Sequence, residues 1–302
     1  MDKGGFGMLR GSSRIILGTA QFGLHYGVAN VMGQPSQGDV QRILDRARSG
    51  GIKGIDTAIS YGESERVLGV ADVQGFEVIS KLPQIPNTQE GGVSAWMNTQ
   101  VQGSLARLRV DCLDGLLLHR PEQLLTAQGT LLYRALQEQV SNGRVRKIGV
   151  SIYDPSDLDR LIPRFDFDIV QAPFNILDAR FVRSGWLTRL RKMGIALHIR
   201  SVFLQGLLLM PAERRPVYFE RWEPIWAKWG AWLRKYHLTP LQACLRYALH
   251  VDGVERVILG VDSAEQLDEI LAIADEGAVP DGYQSMQTQD VDLLNPTHWK
   301  AL

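Results

Sequence analysis

Two cysteines, Cys112 and Cys244, are too few to staple a fold. Both sit in apolar surroundings, so free thiols in a reducing compartment are expected rather than a disulfide. An excess of either charge is equally missing. Lys plus Arg number 33 and Asp plus Glu number 33. With no basic block and no acidic tail, a nucleic-acid partner is not expected. No apolar run reaches the length of a bilayer span. Met1 to Ser13 is Gly-rich and lacks the apolar centre of a signal peptide. A soluble, cytoplasmic protein with no membrane partner is expected. A Gly-x-Gly-x-x-Gly turn is also absent after the first apolar run, where Gly18-Thr-Ala-Gln-Phe-Gly23 stands instead. That argues against a doubly wound sheet.

What the chain does have is 302 residues at 45% hydrophobic content, ample for one large core. Eight short apolar runs alternate with helical patterns. The expected strands are Arg14 to Leu17, Lys53 to Asp56, Phe76 to Ser80, Leu113 to Leu118, Val145 to Ser151, Asp168 to Gln171, Ile195 to Ile199 and Arg256 to Leu259. Their near-continuous apolar character suits parallel strands covered on both faces. Ser36 with Asp39, Asp154-Pro155, Thr239-Pro240 and Ser263-x-x-Gln266 read as helix starts. The fold expected is an α/β (β/α)8 TIM barrel, one unit over residues 1–302 with its core at about 14–275. Residues 201–238 are too long for an ordinary loop between strand and helix. They carry Trp222, Trp226, Trp229 and Trp232 at helical spacing. This segment is expected near the barrel mouth, as a helix packing its aromatic face on the barrel, and also as a lid with one or two rings touching substrate. The tail, residues 280–302, is polar and expected to lie over the surface.

Several apolar runs end on residues that carry chemistry. Gly54-Ile55-Asp56-Thr57-Ala58-Ile59-Ser60-Tyr61-Gly62 brings a carboxylate and a phenol just past a strand. Val78-Ile79-Ser80-Lys81 ends on an amine, and Leu116-Leu117-Leu118-His119 on an imidazole. Singly, each has a plain structural role: a helix cap, a packed ring, a solvated ammonium, a satisfied core histidine. In a barrel of this type the C-terminal strand ends share one mouth, which gathers all four. A phenol, with an ordinary pKa of about 10, is a poor acid until a neighbouring ammonium stabilises its anion. Lys81 can be that ammonium, Asp56 its counter-charge, and His119 a hydrogen-bonding partner for a substrate oxygen. The set can protonate an oxyanion as it forms, as when a carbonyl receives a hydride.

Through Gly-Ile-Asp56-Thr57-Ala58-x-x-Tyr61-Gly62, Ser-Lys81, Leu-Leu-Leu-His119 and Gly143-x-Val-Arg-x-Ile-Gly149-Val150-Ser151, the chain resembles the aldo-keto reductases over about residues 14 to 275. The resemblance implies that Tyr61, Asp56, Lys81 and His119 form a catalytic tetrad, with Tyr61 the general acid in reduction. It implies a nicotinamide dinucleotide across the mouth, a small aldehyde, ketone or sugar as partner, and no metal. It leaves the oligomeric state undetermined. Gly18 and Thr19, at the end of the first strand, join the implied dinucleotide contacts. Ser151 and Gln171 match residues holding the carboxamide. Arg200 stands where most members stack a Tyr on the nicotinamide. Ser201, Gln205 and Gly206 match the loop over the pyrophosphate. Gly260 and Gln266, with Asp262 nearby, occupy the places where many members bind the 2′-phosphate through Lys and Arg. Family habit implies NADP(H); these residues leave NAD(H) open. Gln21, Phe22, His25 and Tyr26 follow the first strand and are expected to border the substrate, Phe22 and Tyr26 foremost.

Two other functions fit parts of the pattern. A cofactor-binding sensor or regulatory subunit would account for Arg200 and the missing phosphate cations, though it needs no complete tetrad. A lyase or isomerase could use Lys81 as a Schiff base, but would give Asp56 and Tyr61 no clear task.

Overall fold

The computed structural model describes residues 11–30, 33–86 and 92–299. Most of the Met1 to Ser13 reading therefore lies outside the described residues. Eight parallel strands close into a barrel in chain order: β1 (Ile15–Gly18), β2 (Gly54–Asp56), β3 (Glu77–Leu82), β4 (Gly115–Leu118), β5 (Ile148–Ser151), β6 (Ile169–Pro173), β7 (Ala196–Arg200) and β8 (Arg256–Gly260). β8 pairs back onto β1, Ile15 beside Val257 through Gly18 beside Gly260.

The helices are α1 (Gly11–Arg14), α2 (Gln37–Ser49), α3 (Ser64–Val70), α4 (Gly92–Leu108), α5 (Gly129–Ser141), α6 (Asp157–Leu161), α7 (Arg180–Ser184), α8 (Trp186–Met193), α9 (Glu223–Tyr236), α10 (Pro240–His250), α11 (Ala264–Ile273) and α12 (Val291–Leu294). The start of α2 carries the expected capping box, Ser36 with Asp39; Thr239 caps α10 as expected and also forms a box with Gln242. The Asp154-Pro155 start is displaced: the helix begins at Asp157 because Asp154 first closes a turn, accepting from the Ser156 amide at 2.9 Å.

Strand alternation decides what reaches the site. Ile16, Ile79, Leu117, Ile169, Ala196 and Ile258 form a closed apolar plug inside the barrel. Their immediate neighbours, such as Leu17, Val78, Leu116, Val170, Leu197 and Val257, point outward into the larger core beneath the helices. Side chains alternate faces, so the residues two beyond each plug position point inward again. Those are Gly18, Lys81, His119, Gln171, His198 and Gly260. Cross-strand register adds Asp56, beside Gly18, and Ser151, beside Gln171. The chemistry-bearing layer thus sits directly on an apolar floor.

Three expectations need correction. β3 continues to Leu82, so Lys81 lies within the strand and is fully buried rather than at an open end. β5 begins at Ile148, and Val145 makes only an isolated bridge to Leu113. The tail is not a surface strand of polar chain: Met286, Leu293 and Leu294 are buried, and Thr288 pairs with Asp178. These apolar residues seat the tail on α9 and its approach. Both cysteines are free, Cys244 buried and Cys112 half-buried. No helix among the described residues is long and apolar enough to cross a membrane.

Candidate active site

The centre of the site is an ammonium with no access to solvent. Lys81 is fully buried, and its Nζ donates to Asp56 Oδ1 at 2.5 Å, to the Thr57 carbonyl at 2.9 Å and to Tyr61 Oη at 3.5 Å. Three protons meet three oxygens, which is what makes a buried charge tolerable. Burial by itself works to strip the Lys81 proton. The Asp56 charge and hydrogen bond outweigh it, and the net pKa is raised, so the side chain stays an ammonium. The second carboxylate oxygen of Asp56 accepts from Gln171 Nε2 at 2.7 Å. Asp56 is thereby held from both sides, by β3 and by β6.

Tyr61 reaches this ammonium from the turn after β2. Its amide donates to the Ala58 carbonyl at 3.0 Å, closing the turn. Gly62 follows with φ +54°, and a Cβ there would stand 2.4 Å from the Gly23 carbonyl oxygen. Only glycine fits between that carbonyl and the turn. The Tyr61 ring lies edge-on to the His119 ring, with centroids 5.8 Å apart. His119 Nδ1 is 3.1 Å from Ser60 Oγ. Burial, then the positive charges of Lys81, Arg200 and Arg120, push the His119 pKa down to about 3. The imidazole is therefore neutral at neutral pH, and in the tautomer protonated at Nε2, in which Nδ1 accepts from Ser60, it offers a hydrogen-bond donor without charge.

A cavity of about 340 Å³ opens from Asp56 and Tyr61. It passes over Gly18 and Thr19 at the end of β1, and over Gly260 at the end of β8. Its far end is lined by Asp262, Gln266 and Glu269. The chain after β1 and the chain after β7 meet across it. The Val28 amide donates to the Gln205 carbonyl at 3.1 Å, and Gln205 Nε2 lies 3.5 Å from Tyr26 Oη. Gly206, at φ +89°, presses on Ala29 so closely that a Cβ would come within 2.5 Å. Ser201 and Gln205 also hold positive φ, at 61° and 54°.

Arg200 lines the same cavity near its catalytic end. Its guanidinium donates to the Ile152 carbonyl at 3.1 Å, lies 3.5 Å from Ser201 Oγ and covers the Tyr153 ring at 4.5 Å. Among the described residues no carboxylate pairs with it. Ser151 and Gln171 lie below, in the inward layer. Ser151 Oγ and Gln171 Oε1 are buried and have no hydrogen-bond partner in the protein. A hydroxyl and an amide oxygen left open side by side fit a ligand carboxamide, which offers one acceptor and two donors.

Not every expected residue is at the site. Phe22 is 2% exposed and belongs to the main core, because the short 3-10 turn Ala20–Phe22 folds it inward under α3; it does not border the cavity. Tyr26 and Gln21 do border it, whereas His25 is exposed and does not. The four tryptophans of the long segment face away from the cavity. Trp226 Nε1 donates to the Phe219 carbonyl at 2.8 Å, Trp232 Nε1 to the Asp281 carbonyl at 3.1 Å, and Trp222 Nε1 to Asp290 at 2.9 Å. Packing, not a lid, is their role; the segment touches the cavity only through its first part, Ser201 to Leu209.

Other participants escaped sequence reasoning. Ser60, beside His119, and the Thr57 carbonyl, beneath Lys81, carry no signal of their own. Glu269 had one: it stands a helical turn after Gln266 and so shares its face. The buried His198 was also findable, two residues beyond the plug residue Ala196.

The model of the Aldo/keto reductase family matches residues 14–288. An aldo-keto reductase of Strobilurus tenacellus is 26% identical over 258 residues, spanning 77% of this chain and 75% of its own length. The NADH-specific methylglyoxal reductase of Escherichia coli is 26% identical over 285 residues, with 77% and 81% covered. Among solved structures, a holo aldo-keto reductase from Bacillus halodurans superposes with a TM-score of 0.71 at 20% identity, covering 94% of each chain. That last likeness is one of fold. With the barrel, the buried strand-end layer and the family match in hand, the chain belongs to the aldo/keto reductase family and is an oxidoreductase acting on carbonyl or alcohol groups with a nicotinamide cofactor.

Proposed function

We propose that this protein reduces a small aldehyde or ketone, a sugar included, to its alcohol, with Tyr61 as the general acid. The observation that carries this reading is the sealed Lys81 ammonium, held by Asp56 and aimed at Tyr61 Oη from 3.5 Å. An ammonium there faces the oxygen on which negative charge develops as the proton leaves for the substrate. The nicotinamide cofactor, when bound, supplies the hydride to the carbonyl carbon. Tyr61 gives the matching proton to the oxygen, and the electron pair left on the phenolate faces Lys81. The neutral His119 orients the carbonyl oxygen by donating a hydrogen bond, which requires its low pKa. Ser151 and Gln171 would hold the carboxamide through their open oxygens. Arg200, Ser201, Gln205 and Gly206 would lie along the dinucleotide, with Gly18, Thr19, Gly260, Asp262 and Gln266 completing its bed. Tyr26 would border the substrate.

The methylglyoxal reductase among the relatives supports a small, polar aldehyde as the first substrate to try. The Schiff-base reading loses ground, since Lys81 has no solvent access and all three of its protons are engaged. The sensor reading gives no reason for an Asp56 held on both oxygens. In Tyr61→Phe, turnover falls by roughly 10²–10⁴-fold while dinucleotide binding, read by tryptophan fluorescence, stays within twofold. Retained turnover would remove Tyr61 from the acid role.

A further inference from the structure

The two ends of the cavity differ in charge. Near Tyr61 stands a cation, Arg200. At the far end stand two carboxylates, Asp262 and Glu269, together with Gln266 and Asn30, whose Nδ2 donates to Asp262 Oδ1 at 3.4 Å. Arg200 is the only Lys or Arg among the described residues lining the cavity. Gln266 brings no charge: its Oε1 accepts from the Asp262 amide at 2.8 Å, its backbone amide donates to Ser263 Oγ at 3.3 Å, and its side chain offers at most a neutral amide to the cavity. At Gly260 the space where a Cβ would go is filled by the Gln21 side-chain amide, 2.4 Å away. The cations on the neighbouring α2, Arg42 and Arg46, are already paired with Asp39 and Asp268.

We propose that this end of the cavity selects a dinucleotide whose adenosine ribose carries free hydroxyls, so that the protein works with NAD(H) and discriminates against NADP(H), through Asp262 and Glu269. The proposal rests on the reading that the cavity is a dinucleotide site and deepens it. A ribose hydroxyl is a donor, and a carboxylate is an acceptor with lone pairs to spare. A 2′-phosphate brings between one and a half and two negative charges, roughly, and no donor at neutral pH. Placed here it meets two like charges and no cation, the reverse of a phosphate site. Asp262 is half-buried, and burial, against the opposing Gln266 contact, raises its pKa. A half-buried carboxylate with lone pairs to spare gains from a hydroxyl and loses from a second anion. Repulsion at this range, partly screened, corresponds to roughly tenfold or more in affinity.

The test measures binding, not only turnover. Titrations of the intact protein by calorimetry compare NADH with NADPH, and ADP-ribose with its 2′-phosphorylated form, which lacks any nicotinamide to confuse the two ends. The expected result is NADH at least about tenfold tighter, the same order for the nicotinamide-free pair, and a gap that narrows in the Asp262→Asn, Glu269→Gln double variant and closes or reverses in Asp262→Lys. Both positions are solvent-reached, so these variants should fold. Equal affinities, or tighter NADPH, would overturn the selection. Tighter NADH with a gap unmoved in the double variant would overturn the two residues named. If neither dinucleotide binds, the cofactor reading beneath the proposal falls, and the proposal with it.

Discussion

The strand-end layer and the aromatic lobe behind it are both built from large side chains with polar tips, yet they constrain the sequence in opposite ways. In the lobe, Trp226 and Trp232 satisfy their indole N–H groups on backbone carbonyls, of Phe219 and Asp281. A carbonyl is present whatever residue bears it, so partner identity is free for these two rings; Trp222, on the Asp290 carboxylate, is an exception. In the layer, Asp56 is satisfied by Lys81 from β3 and Gln171 from β6, side chain to side chain. Changing any one leaves another charged or polar group buried and unpaired. The lobe holds the molecule together, whereas the layer holds a reaction geometry. Each can be damaged without the other.

The largest effect belongs to the layer. Lys81→Met strands the Asp56 carboxylate and removes the ammonium from Tyr61. Turnover should fall by about 10³-fold or more, and stability by about 3–5 kcal/mol. Adding Asp56→Leu should restore part of the stability, because an apolar pair replaces a broken ion pair while Gln171 Nε2 loses its partner. It should restore none of the turnover. Denaturation midpoints beside turnover would show this; activity recovered by the second substitution would mean that the pair serves only folding.

Trp229→Ala makes the opposite cut. This ring is 1% exposed and stacks on Trp232 with centroids 6.0 Å apart. Truncation should cost about 3–5 kcal/mol, with turnover per folded molecule unchanged. A folded variant with crippled turnover would show that lobe and site are coupled and that the contrast drawn above is false.

This contrast also explains what could be read in the sequence. The layer was legible because polar residues ending apolar runs are rare, and alternation fixes which way they point. Lys81 is recognisable as a site residue at the end of an apolar run, but its complete burial is not, because that run reads as a strand stopping at Ser80. Gln171 and Ser151 were recognised by resemblance; the contact that matters, Gln171 to Asp56, joins strands 115 residues apart and leaves no local trace. Phe22 was misplaced because a phenylalanine after a strand suits a pocket wall and a core equally. The tail reads as polar surface chain because Met286 and the Leu293-Leu294 pair stand among polar residues with no sustained period. The tryptophans showed their helix, but aromatic spacing alone does not say whether a face meets barrel or ligand.

The smallest expected effect is one of pH, and it too should fall on the layer alone. His198 points inward on β7, 5% exposed, with Nδ1 buried and unpartnered. Burial, then the charges of Arg256, Lys147 and Lys81, hold its pKa down at about 3. In the unfolded chain an imidazole titrates near 6.5, roughly. Above that pH both states are neutral and the protein has its full stability from this group. Below it the unfolded chain takes up a proton that the folded chain refuses, so stability declines as pH falls, until the folded imidazole also titrates near 3. Between pH 6 and pH 5 this amounts to about 1 kcal/mol. Asp39, Asp154 and Asp292 have lowered pKa values and act mainly further down the scale, and Asp262, whose pKa burial raises, is common to parent and variant, so the difference between the two isolates the imidazole. His119, also held near 3 at the cavity edge, adds to the same slope. In His198→Gln the loss of stability from pH 6 to pH 5 should shrink by about 1 kcal/mol relative to the parent. An unchanged slope would mean that the imidazole is already protonated in the folded barrel, and the layer would then carry a second buried cation beneath Lys81.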